Sequence, residues 1–183
     1  MQAVSDEERR RRFEAIAAEV YEPVQRFLRR RTSIEEADDV LGDVLLVVWR
    51  RLDDVPADAV LPWCYGVARR TLANERRSAR RRLRLLERLK AQAPPPPSFD
   101  PAQRDAHPEL AEALSRLRAT DREILTLWAW EQLEPREIAV VLGTTPNAAG
   151  LRLGRAKRRL ATELRRDHAA AGHEAGSDTE DDR

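Results

Sequence analysis

Four consecutive prolines, Pro94 to Pro97, interrupt the chain near its midpoint and constrain its fold more than any other feature. The stretch around them, residues 91–107, contains five prolines in all. Proline lacks a backbone N–H and its ring blocks the preceding turn of a helix, so this stretch cannot form a helix or a central strand. It is expected to be an extended, semi-rigid linker. The sequence therefore predicts two small domains, residues 10–90 and residues 108–166, joined by a Pro-rich linker.

Apolar residues on both sides of the linker recur at every third or fourth position, as on the buried face of a helix. In the first domain they form one set from Phe13 to Leu28, a second from Val40 to Leu52, and a third from Leu61 past Arg82. Strand-like alternation is essentially missing. The predicted fold class is therefore all-α.

The formal net charge of +1 conceals strongly charged segments of both signs. Residues 61–90 contain ten basic and two acidic side chains, and residues 150–166 contain seven and one. Residues 32–60 have the opposite balance, with eight acidic side chains and two basic ones. Two basic segments and one acidic segment indicate two kinds of partner, one of them a polyanion.

The second domain begins with signals for a buried helix. Thr120 and Glu123 have the spacing of a capping box, which predicts a helix from about Asp121. The apolar residues that this helix is expected to bury are Ile124, Leu125 and Trp128.

The following residues have the punctuation of a helix-turn-helix. Pro135 suits the first turn of a helix, and Gly143 suits the left-handed residue that ends one. Thr145 is then expected to cap a further helix that has Pro146 in its first turn. The C-terminal domain is therefore predicted to contain a helix-turn-helix whose second helix is basic.

The second helix of that motif carries five basic side chains, Arg152, Arg155, Lys157, Arg158 and Arg159. Arg152, Arg155 and Arg159 are three and four residues apart and share one face. In helix-turn-helix proteins this helix lies in the DNA major groove, where early residues reach base edges and flanking cations hold phosphates. A merely solvated charged face is the alternative. The capped glycine turn combined with the net charge of this segment favours DNA.

Composition gives no support for catalysis or for a bound metal. The only cysteine, Cys64, excludes an internal disulfide, and the three histidines lie in the linker and the tail without metal-ligand spacing. We therefore expect no catalytic residue, no cofactor and no metal. A charged N-terminus and the lack of a long apolar run predict a cytoplasmic protein without membrane insertion. Residues 167–183 are small, polar and acidic, which predicts a disordered tail.

The order of these parts resembles a bacterial RNA polymerase sigma factor of the sigma-70 family, in the extracytoplasmic-function (ECF) group. Residues 37–55 are similar to the helix of that family that binds core polymerase. Residues 62–82 are similar to the helix that meets the −10 promoter element, and residues 117–160 to the domain that reads the −35 element. The resemblance covers about residues 10–166, and its specificity comes from three motifs in the right order.

The resemblance implies a role for three sets of residues. Core polymerase binding falls to Asp39, Asp43, Val47 and Trp49. Contact with the −10 element falls to Trp63, Arg69, Arg70, Arg76, Arg77 and Arg80, although Trp63 on an apolar stripe can instead pack in the core. Contact with the −35 element falls to Arg152, Arg155, Lys157, Arg158 and Arg159, of which Arg155 is the best-matched base contact.

The resemblance also implies core RNA polymerase, promoter DNA and an anti-sigma protein as partners. The alternative is a stand-alone helix-turn-helix regulator that binds DNA as a dimer. Such a regulator needs a dimerisation helix or an effector domain, whereas the first domain has basic and acidic segments instead. The chain departs from the family at Gly42, where glutamine is usual, and at Gly150 and Leu151, where a basic and a small polar residue are common. These departures leave the promoter sequence undetermined.

Overall fold

The computed structural model describes residues 6–87 and 107–174 and is helical over most of both ranges. The helices are α1 (Asp6–Arg29), α2 (Ile34–Arg50), α3 (Val60–Glu87), α4 (Pro108–Arg116), α5 (Ala119–Ala129), α6 (Pro135–Leu142) and α7 (Pro146–Glu174). A short 3-10 turn, Leu52–Asp54, follows α2. No strand occurs within the described ranges, and the prediction of an all-α fold is confirmed there.

The helices group into two compact units, one built mainly from α1–α3 and the other mainly from α4–α7. The domain bounds stay a prediction, because the Pro-rich linker apart from His107 lies outside the described residues. α7 continues to Glu174, so residues 167–174 are helical, whereas the sequence predicted disorder from residue 167. The alanines at 169–171 favour a helix, which accounts for this extension. The rest of the acidic tail lies outside the described residues.

The three helices of the N-terminal unit pack on one another around an aliphatic core. Its fully buried side chains include Val20, Val24, Phe27, Leu28, Val40, Val44 and Val48. The Phe27 ring stacks on Tyr65 of α3, with ring centroids 4.9 Å apart. These positions belong to the apolar sets seen in the sequence, so helical spacing correctly identified the core of this unit.

Cys64 lies in that core and is fully buried. Burial raises the pKa of its thiol to about 12, and the nearby Glu19 carboxylate acts in the same direction. Because the thiolate is the reactive form, this cysteine is a packing residue and not a nucleophile.

In the C-terminal unit, α7 packs against both α4 and α5. Leu153 and Ala156 on the inner side of α7 are buried, as are Ile124, Leu125 and Leu127 of α5. The long basic helix is therefore attached to its unit along one side. Its opposite side is left for solvent or a partner.

The start of α5 differs from the prediction. The helix begins at Ala119, its N-cap is Arg118, and no side chain caps it. Thr120 lies inside the first turn and cannot act as the N-cap, so the predicted capping box is wrong. Trp128 was expected in the core but is 42% exposed, while Leu127 is buried in its place. The last turn of α5, where Trp128 lies, reaches the surface of the unit.

The helix-turn-helix is confirmed in its details. Gly143 has a positive φ of 64°, and the Thr144 N–H donates to the Ala139 carbonyl oxygen at 3.0 Å, which closes the end of α6. The Thr145 Oγ1 accepts from the Ala148 N–H at 3.2 Å and caps α7. The direction in which α7 leaves the turn is thus determined by these local hydrogen bonds.

The turn between α5 and α6 holds a feature that the sequence analysis missed. Gln132 has a φ of 56°, a left-handed conformation that costs a residue with a Cβ about 1–2 kcal/mol. After it, the Glu134 N–H donates to the Glu137 carboxylate at 2.8 Å, which starts α6. No glycine or asparagine marks Gln132 in the sequence, so no local signal could have revealed it.

Candidate functional site

The outer face of α7 consists of Asn147, Leu151, Arg155 and Arg158, which recur at intervals of four, four and three residues. All four are exposed, and Leu151 is exposed over 55% of its surface. This face lies opposite the buried Leu153 and Ala156. α7 therefore presents two cations, one amide and one large apolar side chain toward anything that approaches it.

Three of the five basic residues assigned to this helix have free guanidinium groups within the described part of the chain. Arg152, Arg155 and Arg158 are exposed, and their side chains form no ion pair with a residue that the structure describes. Free cations of this kind are available to a polyanion without breaking an internal contact.

Arg159 is engaged within the protein. Its guanidinium forms a salt bridge with Asp121 of α5, whose side chain is only 12% exposed. A nearly buried carboxylate requires such a partner, because burying an unpaired charge costs several kcal/mol of folding free energy. An exposed carboxylate avoids this cost because water solvates it. The side chain of Arg159 therefore links α7 to α5, a role that the sequence analysis did not foresee.

Lys157 is also held within the unit. Its Nζ lies 3.3 Å from the centroid of the Trp128 ring, a cation–π contact. The residue is only partly exposed and points to the side of α7, away from the outer face. Trp128, which was expected in the core, therefore lies near the surface with the Lys157 ammonium group over its ring. Lys157, which was expected to contact DNA, is held by this contact instead.

Four small residues, Asn147, Ala148, Ala149 and Gly150, lie in the first turn and a half of α7, where small side chains allow DNA to approach the backbone closely. Ala149 is fully buried, and a Cβ added at Gly150 would lie 3.8 Å from the Pro135 Cβ, in ordinary contact. Gly150 therefore lies against the start of α6, and Ala149 belongs to the buried side of α7. Asn147 and Ala148 are the small residues that remain toward the surface.

The acidic face of α2 consists of Asp39, Asp43 and Leu46, spaced at four and three residues. Both aspartates are exposed, and neither forms an ion pair with a described residue, whereas the neighbouring Asp38 is paired with Arg29 at 3.4 Å. Leu46 is 44% exposed at the C-terminal end of this face. It was missed because it belongs to a continuous apolar run, but its position seven residues after Asp39 places it on the same side.

The other apolar residues of α2 after its first turn are at least partly buried or engaged with α1. Val40 and Val44 are in the core, and Val47 is half-buried. The Trp49 ring, 38% exposed, packs edge-on against Phe13 at 5.3 Å. It thus helps to hold α2 against α1 as well as lying at the surface.

The basic face of α3 contains Trp63, Arg70 and Arg77, which are seven residues apart and therefore nearly aligned. Arg69, Arg76 and Arg80 form an adjacent row, about 100° around the helix from the first. Trp63 is partly exposed, and the guanidinium of Arg51 lies 5.7 Å from its ring centroid. Burial and the positive charges of Arg51 and Arg69 lower the pKa of Arg70. The positive charges of Arg51, Arg69 and Arg70 lie close together at this part of the face and attract an anion.

Two residues of this face have partners inside the N-terminal unit. The Arg76 guanidinium donates to the backbone oxygen of Arg31, just beyond the end of α1. Burial lowers the pKa of Arg76, while Glu36 counteracts this effect. Arg77 donates to the Asn74 side chain of its own helix. Arg76 is therefore a structural link between α3 and α1, and Arg70 and Arg80 are the more exposed cations.

Within residues 6–82 and 107–166, no group of three His, Cys, Asp or Glu side chains is placed to hold a metal ion. No helix in these ranges is long and apolar enough to cross a membrane.

Known proteins match this chain over both units. Residues 107–160 match the family model described as Sigma-70, region 4. The chain is 26% identical over 136 residues to the RNA polymerase sigma factor NccH of Alcaligenes xylosoxydans xylosoxydans, and the alignment spans 70% of this chain and 73% of that relative. The C-terminal unit therefore contains a sigma-70 region 4 domain. The resemblance to ECF sigma factors, and with it the assignment to transcription initiation, is thereby confirmed.

Solved structures agree with this fold. The structure of CnrH in complex with the cytosolic domain of CnrY has a TM-score of 0.58 at 24% identity, and the match covers 86% of this sigma factor and 90% of CnrH. The sigma factor RpoE, in a structure with the anti-sigma factor NepR from Bartonella quintana, has a TM-score of 0.59 at 19% identity. That match covers 84% of this chain and 96% of RpoE, so the two-unit helical fold is shared nearly end to end.

We predict that Arg159→Ala destabilises the C-terminal unit by about 1–3 kcal/mol, because it leaves the Asp121 carboxylate nearly buried and unpaired. Thermal or urea unfolding followed by circular dichroism measures this change. Arg155→Ala is the matched control, since it removes a free arginine from the same helix and should alter stability by less than about 0.5 kcal/mol. Equal stability of the two variants would show that the salt bridge contributes nothing.

Proposed function

We propose that this ECF sigma factor binds core RNA polymerase through the acidic face of α2 and directs promoter-specific initiation with its two basic helices. The N-terminal unit, residues 10–90, contacts polymerase and the −10 element, and the C-terminal unit, residues 108–166, contacts the −35 element. The observation that carries the proposal is that α2, α3 and α7 each expose charges left unpaired by the described residues.

The acidic face of α2 suits a basic groove on a protein. Asp39 and Asp43 precede Leu46 on the same side of α2, so two unpaired carboxylates lie next to one exposed apolar side chain. Protein interfaces combine an apolar centre with a charged rim, and the charges determine orientation and association rate. Trp49 extends this surface toward α1 and contributes its exposed edge.

The basic face of α3 suits separated DNA strands. A partly exposed Trp63 ring beside Arg51 and Arg70 offers a stacking surface for a base together with cations for the backbone. Arg69, Arg77 and Arg80 continue the cationic track along the helix. Arg76 supports this track indirectly, since its guanidinium is held by the end of α1.

The outer face of α7 suits the major groove of duplex DNA. Asn147, Leu151 and Arg155 lie in the first half of the helix, the part that enters the groove in helix-turn-helix proteins. Arg152 and Arg158 flank them as phosphate contacts. Arg159 and Lys157 act mainly within the unit, where they hold Asp121 and cover Trp128.

Regulation follows by analogy with the relatives. CnrH and RpoE were solved in complexes with CnrY and with the anti-sigma factor NepR, and we propose that an anti-sigma protein likewise holds this chain inactive. The protein acts in the cytoplasm, where it contributes binding and not catalysis. A stand-alone helix-turn-helix regulator is the other candidate function, but it assigns no partner to the unpaired acidic face of α2.

Transcription from a fragmented-genome template by core RNA polymerase, with and without the protein, tests the proposal. We predict new, discrete transcripts only when both are present. Charge reversal at Asp39→Arg and Asp43→Arg should reduce these transcripts at least tenfold, because the acidic face then repels a basic groove. A Glu14→Arg, Glu22→Arg double variant on α1 has the same charge change and should retain activity. Identical transcripts with and without the protein would exclude a sigma factor function.

We predict that Arg155→Ala relaxes the sequence preference at the −35 element. An arginine that contacts a base discriminates by about 1–3 kcal/mol, whereas loss of a phosphate contact weakens binding to all sequences alike. Binding of the complex with core polymerase to matched and scrambled −35 elements measures the difference. An equal loss on both DNAs would mean that Arg155 holds a phosphate.

We predict that Leu151 contacts the methyl group of a thymine in the −35 element, because apolar side chains in the major groove pair with that group. Replacing one thymine by uracil removes only the methyl group and should weaken binding about fourfold, the value of one buried methylene. The Leu151→Ala variant should bind the thymine and uracil promoters equally. If no thymine in the element responds to this replacement, Leu151 does not read a base.

A further inference from the structure

A shallow groove of about 410 Å³ lies between the turn that joins α4 to α5 and the middle of α7. Arg118 lines it from the turn, and Arg155 and Arg158 line it from α7. The two carboxylates in its lining are Asp121 and Glu163. The groove is therefore formed by two parts of the chain that the sequence places about 40 residues apart.

The charges in this groove are not balanced among the described residues. Asp121 is neutralised by Arg159, and Glu163 lies 3.9 Å from Arg116 and 3.7 Å from Arg166. Arg118 and Arg158 are exposed, and no described carboxylate is paired with either of them. The groove thus keeps a positive excess on both of its sides.

We propose that Arg118 and Arg158 together hold one phosphate of the DNA backbone in this groove. The turn between α4 and α5 is then a DNA contact in addition to α7, which no sequence motif indicated. Two guanidinium groups that approach from different elements match a phosphate, because each can donate more than one hydrogen bond to its oxygens. This inference rests on the proposed function, since it concerns the same promoter DNA.

The geometry of α7 places this contact at the wall of the major groove. Arg158 follows Leu151 by seven residues, which is about 10 Å along a helix. The major groove is about 12 Å wide, so a helix whose Leu151 lies among the bases brings Arg158 to the flanking backbone. The groove opens beside the outer face of α7, which favours a phosphate of DNA over one from another ligand.

Such a contact would anchor the unit without reading sequence. Phosphate contacts determine the register and orientation of a protein on duplex DNA but carry no direct sequence information. Because Arg118 lies on a different element from α7, the contact would also fix the rotation of the whole unit about the axis of α7. Base-reading residues would then be presented at a constant depth.

Binding of the full chain with core polymerase to promoter DNA, across a salt series, tests the proposal. Arg118→Gln should weaken binding equally on matched and scrambled −35 elements and lower the slope of log affinity against log salt by about 0.9, the value of one phosphate contact. Arg10→Gln, an exposed arginine on α1, is the matched control for loss of one charge and should leave both quantities unchanged.

Single methylphosphonate substitutions, which neutralise one phosphate at a time, locate the contact. One substitution should weaken binding of the unmodified protein several-fold and have no further effect on Arg118→Gln. The same substitution should have little effect on Arg158→Gln, because both arginines share that phosphate. Circular dichroism should show all variants fully folded, as both side chains are exposed.

The outcomes separate this inference from the proposed function. If the unmodified complex binds the promoter and Arg118→Gln matches Arg10→Gln, the phosphate site is wrong and the sigma factor function stands. If Arg118→Gln lowers affinity only on the matched element, Arg118 reads a base and the phosphate site is again wrong. If the unmodified chain with core polymerase binds no promoter DNA, both proposals fail.

Discussion

The C-terminal unit depends on the burial of one side of α7. Leu153 and Ala156 are buried, and their burial determines which arginines of the helix point away from the protein. A helix turns about 100° per residue, so fixing two inner positions fixes the outer face as well. The Asp121–Arg159 salt bridge supports the same arrangement by linking α7 to α5. The apolar contacts of α7 therefore determine which of its cations are exposed. Only these exposed cations are available to attract a polyanion.

The arginines of this protein fall into two groups that composition cannot separate. Arg76 and Arg159 are bound by partners inside their own units, and their loss would be felt first as a loss of stability. Arg155 and Arg158 are exposed and unpaired among the described residues, and their loss would be felt first in binding. A count of net charge treats the two groups alike. The two groups differ in whether their guanidinium groups have partners inside the protein. The candidate DNA-binding surface therefore contains fewer cations than the net charge of the basic segments suggests.

Most of the fold could be predicted from the sequence, because its signals are local. Apolar spacing revealed α1, α2 and α3, and Gly143 and Thr145 marked the helix-turn-helix turn. The errors arise where a long-range contact decides the outcome. Trp128 is apolar and has core spacing, yet it reaches the surface, where Lys157 covers it. No spacing rule connects residues on different helices, so such pairs become visible only once the helices are packed.

The candidate site was less predictable than the fold, and the physical reason limits how this sigma factor can read DNA. With Arg159 and Lys157 engaged internally, α7 has few side chains left for base edges, chiefly Asn147, Leu151 and Arg155. Each base contact discriminates by only about 1–3 kcal/mol, so this helix alone cannot select one site in a genome. Phosphate contacts add affinity but no sequence specificity. Under the proposed function, selectivity is therefore shared with the basic face of α3, and a promoter is recognised only when both helices contact their elements at the spacing that polymerase imposes.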